Sequence, residues 1–589
     1  MDYNWNLDTI YTSFDSTEYQ EDVALIQSLT IKLNTECDAW QGSHNPLQIL
    51  ESILADFMKL YETLYTVVGF ASLKFTVNTS DSEAITHYEK GEQMITELTK
   101  PDVKFTRFLG SLDNLDALIE QSELLKAHQF YLSRQKERSK YMLSDEEEIL
   151  IAKLMTTGSS SWSMLQSKLT SKLIVPVKLG DEIKEMTLSE ARAMSHEADL
   201  ATRKAAYEAE LKACEQIEDA VATALNSIKG EVLTTSEKRG FASPLEEALF
   251  KTKMEQKTLD ALIGTIEEYL PKIRQYYKKK GQLLGNENGI HFYNLFAPIG
   301  KSSKHYTYEE NMDFIIENFN SFSTQMGDYA KRAYTEQWID VEPKAGKVGG
   351  AYCAGVEKTK ESRILLNFKG SLGDVITTAH ELGHGYHNEM LKDASILNID
   401  VPMPLAETAS TFCETIVGRA ALKTVGPEEQ ITVLESGLQD AGQCIVDIYS
   451  RFLFESRLFE QRKNGSVSVE DMKNLMLGAQ ADAYGDGLDA DFRHPYMWLN
   501  KGHYYSAGLN FYNFPYAFGL LFAKGLYKLY EIEGQAFLER YNKLLAFTGQ
   551  ESIENVCASV GIDVTTREFW RNSLDVIVED IEAFIALCD

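Results

Sequence analysis

The sequence predicts a mainly α protein in two lobes, with one small β element. Three observations carry that prediction. Residues 18–150 hold a nearly continuous helical pattern with few Gly or Pro. Strand-like tracts are short and few, and from Pro404 onward helical spacing dominates again. Finally, 589 residues exceed what one hydrophobic core usually organises, so a second core is expected. The best boundary falls near residue 190, giving an N-terminal helical lobe of residues 1–190 and a larger lobe of residues 191–589.

Along the chain, Gly158–Trp162 is expected to interrupt the first helical stretch. Leu173–Gly180 reads as the start of a hairpin that turns at Gly180-Asp181. Helices resume at about Ser189 and run past Lys280, and Gly285–Gly289 is a loop. Residues 291–368 are mixed, with Glu361–Phe368 an apolar run read as a strand. Gly370 breaks it, and Ser371 with Asp374 makes a capping-box pattern in which Asp replaces the longer Glu. Val375, Ala379, Leu382, Tyr386 and Met390 then recur at helical spacing and face the core. His380, Glu381, His384 and His387 fall on or beside the other face. A second helix opens near Pro404, with Ala409, Phe412 and Ile416 on its apolar stripe.

The chemistry sits on these two helices. In His380-Glu381-Leu382-Gly383-His384 the two imidazoles stand on one helical face, about 6 Å apart along the axis, so both can reach one metal ion. Glu381 leans over the same region, where it can take a proton from water beside that ion. Gly383 and Gly385 each cost the helix about 1 kcal/mol relative to Ala, which suits a close approach. A hydrolytic zinc site needs three protein ligands and one open position. Glu407, in the first turn of the second helix, can supply the third ligand. Glu414, two turns further along the same stripe, suits a partner for a ligating His. The plain alternative is an amphipathic helix with surface His, and Glu residues that are solvated helix charges.

HELGH followed by ETASTFCE, preceded by KVGGAYC and RILLNFKGSLGDV, resembles the oligoendopeptidase F branch of the thimet oligopeptidase-like zinc metallopeptidases. The resemblance extends over most of the chain. Its opening, Trp5–Tyr11, and the aromatic, Gly-containing tract from Phe511 to Gly519 are typical of the branch. It implies a mostly helical, two-lobed zincin-type metallopeptidase with one zinc ion deep in a substrate channel, cleaving short peptides internally. Carried over by position, His380, His384 and Glu407 match the zinc ligands and Glu381 the general base.

Peptide hydrolysis puts negative charge on the former carbonyl oxygen, and hydrogen-bond donors aimed at it share that charge with the metal. The tract Arg493–Tyr516 offers such donors in excess. The family uses a His and one or more Tyr from this part of the chain; His503 and Tyr512 match best by spacing, with Tyr516 and Tyr505 as further candidates for substrate contact. Where the wider family often has a Tyr shortly after the His, this chain has Gly508, so one donor or contact is absent or replaced. The plain alternative is an aromatic core around a helix that begins near Pro515.

Gly349-Gly350 permits a close backbone approach or a positive φ. With the strand at Ile364–Phe368, the segment from Gly349 and Gly350 through Ala351 can offer an edge to which an extended peptide adds. The residues fit a plain loop equally well, and only the resemblance favours peptide binding.

The balance of 58 basic against 88 acidic residues gives a net charge of −30. That field repels nucleic acid and anionic membranes, so neither is an expected partner, and short peptides are. Met1–Asp8 has no basic region and no apolar core, so no signal peptide is expected, and no apolar run approaches the length of a membrane span. Seven dispersed Cys without a Cys-x-x-Cys fit reduced thiols in the cytoplasm, with Cys413 a small core residue. Two other functions compete with the endopeptidase. A zinc aminopeptidase should show an acidic, Gly-rich motif before the metal helix, and Lys347–Cys353 contains no acid. A non-catalytic peptide-binding protein on the same fold would not need the three ligands and the base that are all present.

Overall fold

The computed structural model describes residues 3–42, 44–300 and 304–589, and it is mainly helical with two small sheets. It divides into two compact units. Unit 1 comprises Met1–Tyr141, Ser303–Ala420 and Leu529–Gly561; unit 2 comprises Met142–Ser302, Ala421–Lys528 and Ile562–Asp589. Each unit is assembled from three stretches, which is a different division from a single cut near residue 190.

Unit 1 grows around an apolar core shared by N-terminal helices and a three-stranded sheet. Helix Pro46–Val77 supplies Leu50, Leu54, Phe57, Leu60, Leu64 and Val67, all buried and spaced three or four residues apart. Trp5, Leu7, Ile10 and Tyr11 join the same core, which accounts for the aromatic and aliphatic opening of the chain. In the sheet, Glu361–Leu365 lies between Ile339–Asp340, to which it is parallel, and Tyr352–Val356, to which it is antiparallel with Tyr352 opposite Leu365. The N–H groups of Leu366 and Phe368 continue the pairing, onto the carbonyls of Asp340 and Val341 at 2.8 and 3.0 Å.

That arrangement defines the edges of the sheet. Ile364, Leu365 and Leu366 are buried, as an interior strand requires, and the run is paired on both sides. Among the described residues, the two edges are Ile339–Asp340 and Tyr352–Val356, and it is into the second that the segment from Gly349 leads. Both this strand and Glu361–Leu365 pack against helix Leu372–Leu391, which carries HELGH.

In unit 2 the hairpin Ile174–Leu179 with Glu182–Thr187 turns at Gly180, whose φ of 62° suits Gly. Val175 and Val177 point into a small core with Leu188, Ala191 and Ala206. The expected interruption at Gly158–Trp162 shrinks to Gly158 alone: Ser159 already begins helix Ser159–Lys172, its N–H held by Glu231 at 2.9 Å. The long helices Glu218–Arg239, Gln256–Leu283, Ile448–Arg462 and Arg567–Cys588 form the body of the unit. A π-helical turn, Gln443–Asp447, interrupts the run from Pro427 to Arg462. Among the described residues no helix is long and apolar enough to cross a membrane.

Candidate active site

Helix Leu372–Leu391 begins as its sequence predicts. Ser371 caps the Asp374 N–H, and Asp374 accepts the Ser371 N–H in return at 2.9 Å. Val375, Ala379, Leu382 and Tyr386 are fully buried, so this stripe fixes the helix's rotation and turns His380 and His384 to the opposite side. His387 departs from the expected face. It is buried, and its Nε2 meets Thr548 Oγ1 at 2.9 Å, away from the metal ligands.

Glu407 also differs in detail. It is not in the first turn of a long helix but at a junction, between the short helix Met403–Ala406 and helix Thr408–Thr424. The junction lets its carboxylate reach back. Gly383 makes the approach possible, since a Cβ there would lie 2.6 Å from both the Ala409 carbonyl oxygen and Ser410 Cα. Gly385 likewise faces the Tyr329 phenol, so both glycines occupy the close contacts expected of them.

The result is a triangle of ligand atoms. His380 Nε2 and His384 Nε2 are 3.1 Å apart, and Glu407 Oε2 lies 3.4 and 3.3 Å from them. An ion bound tetrahedrally at about 2.0–2.1 Å has ligand–ligand edges of about 3.3–3.4 Å, so the three atoms fit such an ion without rearrangement. Among the described residues this is the group of His, Cys, Asp and Glu side chains fit to hold a metal. His380 Nδ1–H donates to Glu414 Oε1, which leaves Nε2 free to ligate and fixes the ring. Burial acts to raise the Glu407 carboxyl, but the hydrogen bond and charge of His384, the charge of His380 and the Ser410 hydroxyl outweigh it and hold Glu407 down to about 2. The charge that favours the carboxylate here sits on the imidazoles, and a cation held by them would favour it in the same sense.

Glu381 stands beside the triangle with only 5 % of its surface exposed. Its Oε2 is buried without a hydrogen-bond partner, and burial, ahead of every charge nearby, raises its carboxyl above the ordinary range. An acceptor with a spare lone pair and a raised affinity for protons is what a general base requires. Cys413 is buried against Met326, in the core as expected.

Gly350 has φ of 81°, which accounts for Gly there, but nothing lies within 4 Å of a Cβ built on either Gly349 or Gly350. The pair serves a turn, and no other backbone comes close to it. Asn367 Nδ2 holds the carbonyls of Val348 and Gly350 at 3.0 and 2.8 Å, leading the chain through Ala351 into the edge strand.

The remaining candidates lie in unit 2. His503 Nε2 accepts from Asn513 Nδ2 at 2.8 Å, and Arg451 donates to Asn513 Oδ1 at 3.2 Å, which sets the amide's orientation. His503 thus keeps its proton on Nδ1. Burial, then the charges of Arg451, Lys229 and Lys501, lower its pKa to about 3, so it remains a neutral donor. The Tyr512 and Tyr516 hydroxyls are 2.7 Å apart, Tyr512 in the turn just before helix Phe514–Glu533 and Tyr516 in the first turn of that helix. Tyr505 is wholly buried and its hydroxyl donates to the Trp498 carbonyl at 3.2 Å, so it belongs to the core of the unit. At Gly508 the position is open, with Ser506 Oγ the nearest atom at 4.0 Å.

Sequence reasoning missed the residues that hold the Tyr512 loop. Phe511 adopts φ of 53°, a left-handed conformation costly for a bulky side chain, and its N–H donates to Glu455 Oε2 at 3.0 Å. Glu455 also binds Lys229 at 2.6 Å, and Lys229 reaches Asn510 Oδ1 at 2.9 Å. Both charged side chains are almost completely buried. The available signal was Glu455 itself, a charge on the helical stripe of Phe452, Leu458 and Phe459.

Comparisons with known proteins give the family. The model of peptidase family M3 matches residues 193–576, and that of oligopeptidase F matches residues 111–174. Group B oligopeptidase PepB of Streptococcus agalactiae is 24% identical over 98% of this chain and 96% of its own length. Oligopeptidase PepF of Bacillus subtilis is 23% identical over 96% of this chain and 84% of its own. Among solved structures, a Chlamydophila abortus protein assigned as a peptidase superposes with a TM-score of 0.87 at 22% identity, covering 99% of this chain and 98% of that one. Oligoendopeptidase-F of Enterococcus faecium gives 0.71 at 18% identity, over 96% and 99%. At such identities the structures speak for the fold alone. The family model, which spans more than half of the sequence and covers His380, His384 and Glu407, carries the assignment: the chain belongs to peptidase family M3 and is a metallopeptidase.

Proposed function

We propose that this protein is a zinc-dependent endopeptidase that hydrolyses internal bonds of short oligopeptides in the cytoplasm. The single observation that carries the proposal is the ligand triangle, with edges of 3.1–3.4 Å and the unpartnered Glu381 carboxylate beside it. His380, His384 and Glu407 would hold the ion. Two neutral nitrogens and one carboxylate are a donor set suited to zinc in a catalytic role. Bound there, zinc would act as a Lewis acid and lower the pKa of water. Glu381 takes a proton from the attacking water and passes it to the leaving amine. Glu414 keeps the His380 ring in its ligating tautomer. His503, neutral with its proton on Nδ1, and Tyr512 donate to the oxygen on which negative charge develops.

Oligopeptides are the substrates that the names of the curated relatives indicate. The edge strand Tyr352–Val356, with Gly349–Ala351 leading into it, supports binding of an extended peptide by strand addition. A metal assay together with one internally quenched fluorescent peptide tests the reading. Stoichiometric zinc and cleavage that is unchanged when the peptide's N-terminus is acetylated are expected. Cleavage abolished by acetylation would make the protein an aminopeptidase, and binding without cleavage would make it a non-catalytic receptor.

A further inference from the structure

Unit 2 contains a partly enclosed cavity of about 80 Å³, away from the metal ligands in sequence and lined by an unusual set of charges. Arg192, Arg203, Arg451 and Lys501 face Glu210 and Asp447. Both acids are already satisfied. Glu210, itself only 6 % exposed, pairs with Arg192 at 2.5 Å and has His494 Nε2 at 3.2 Å, while Asp447 binds Arg451. Arg203 directs Nε and Nη1 to neutral oxygens, those of Asn294 at 2.9 Å and of the Glu197 and Ala198 carbonyls at 2.7 and 2.9 Å. Lys501 makes no ion pair or side-chain hydrogen bond among the described residues. The cavity therefore has two cations without a carboxylate, in a chain whose net charge is −30.

An ammonium in such a place is costly. Burial first, and then the charge of Arg451, push the Lys501 amine down to about 8. A resident anion would remove that cost, and the walls say which kind. Tyr207, Phe292 and Tyr293 give an apolar, aromatic surface beside the charges, suited to an anion with an organic body. The volume accommodates on the order of five waters, or a carboxylate with the few atoms attached to it. The π-helical turn Gln443–Asp447 contributes both of its end residues to the lining. Such turns within α-helices are frequent at functional sites.

We propose that this cavity binds the carboxylate of a small organic acid or of a peptide's free C-terminus, with Lys501 as its charge anchor and Arg203 as a second cation. The site connects to the donor region of the same unit through Arg451, which lines the cavity and also holds Asn513, the partner of His503. Occupancy would offset the positive field of Lys501 and Arg451 at His503. Carboxylate binding itself does not depend on the role proposed for His503.

Differential labelling of the full-length, zinc-loaded Glu381→Gln protein tests the site without turnover. Acetic anhydride at pH 8 should acetylate Lys501, read by peptide mass spectrometry, with the exposed Lys257 as internal control. The ligands are succinate, a pentapeptide with a free C-terminus and the same peptide amidated, each against sodium chloride of equal ionic strength. A fall of at least fivefold in labelling at Lys501 but not Lys257, caused by succinate or by the free-acid peptide and not by the amide, is expected. Protection by succinate alone identifies a free organic acid, and protection by the acid peptide identifies the substrate's own end. Equal protection by acid and amide peptides would overturn the proposal, as would no protection beyond that of chloride. A second measurement covers an unreactive Lys501: succinate or the free-acid pentapeptide should raise the Tm of the Glu381→Gln protein and not of the same protein carrying Lys501→Met, and the absence of a rise with either ligand would also overturn it. Hydrolysis of the quenched peptide by the parent enzyme, run in parallel, keeps this outcome separate from the peptidase reading.

Discussion

Gly383 faces Ser410 so closely that a Cβ on Gly383 would lie 2.6 Å from Ser410 Cα. The contact falls between His380 and His384 and three residues beyond Glu407, so it sets how far the proposed third ligand stands from the first two. A missing methyl group here is part of the metal site. Gly383→Ala should push the two segments apart and open the triangle. Overpacking of this kind costs about 1–3 kcal/mol of stability, which a domain of this size survives. The expected result is unchanged helical circular dichroism with zinc affinity at least tenfold weaker by chelator competition. Parental affinity in a folded Gly383→Ala protein would show that the contact does not set the site.

Glu381 and Glu407 should separate cleanly by mutation. Glu381→Gln keeps the shape and one acceptor oxygen but cannot take a proton. Zinc should remain bound while kcat falls by about 10²–10⁴-fold or more. Glu407→Ala instead opens a ligand position and should lose metal and activity together. Metal analysis after gel filtration in mild chelator distinguishes the two, and activity of Glu381→Gln within tenfold of the parent would remove Glu381 from the base's role.

Glu414 acts through His380. Its carboxylate accepts the Nδ1–H, which fixes the tautomer and raises the basicity of the ligating nitrogen. Glu414→Gln should weaken zinc binding by about 10–100-fold and leave activity near normal once zinc is supplied in excess. Loss of activity that excess zinc does not restore would place Glu414 in contact with substrate.

Much of this site was legible because it is local. The His pair, its Glu and the Ser371 cap lie within one helix, where spacing alone gives the face. The apolar stripe of Val375, Ala379, Leu382 and Tyr386 was legible for the same reason. What sequence did not give depends on partners far along the chain. Ile364–Phe368 reads as a strand, but its parallel partner Ile339–Asp340 gives no sign of itself in so short a tract. His387 shares the hydrophilic side of the helix by spacing, yet residues 545–548 cover it. Glu407 looks helical by its neighbours, but the chain breaks at Glu407 itself, between a short helix opened by Pro402 and Pro404 and a long one that begins at Thr408. The Lys229–Glu455 pair joins two helices that sequence keeps apart, so only the anomaly of a buried charge announced it.

That pair gives a prediction about Tyr512. Glu455→Gln leaves the Lys229 ammonium buried beside a neutral group and should destabilise unit 2 by about 3–5 kcal/mol. The double change Lys229→Met with Glu455→Met replaces the pair by apolar volume and should recover most of that loss. It also releases Asn510 and the strained Phe511, and with them the position of Tyr512. With Tyr512 as an oxyanion donor, the double variant should fold and lose kcat, approaching the about 10²–10³-fold expected for Tyr512→Phe, with KM little changed. A parental kcat in the folded double variant would make the pair purely structural.

His387 predicts an acid limb of stability that is independent of catalysis. Burial, and then the charge of His384, hold its pKa down to about 4, against an ordinary value near 6.5. Between those values the unfolded chain binds the proton and the folded chain does not. The neutral His387 therefore contributes fully above about pH 6.5, its contribution declines as pH falls, and below about pH 4 no further change comes from it. The span corresponds to about 3 kcal/mol between pH 7 and pH 4. His387→Gln keeps a donor for Thr548 and cannot titrate. The urea midpoint of the parent should therefore fall more steeply between pH 7 and pH 4.5 than that of His387→Gln, the two curves converging or crossing on the acid side. Parallel curves over this range would mean that His387 is protonated without strain in the folded protein, which its burial against Thr548 and the 545–548 segment argues against.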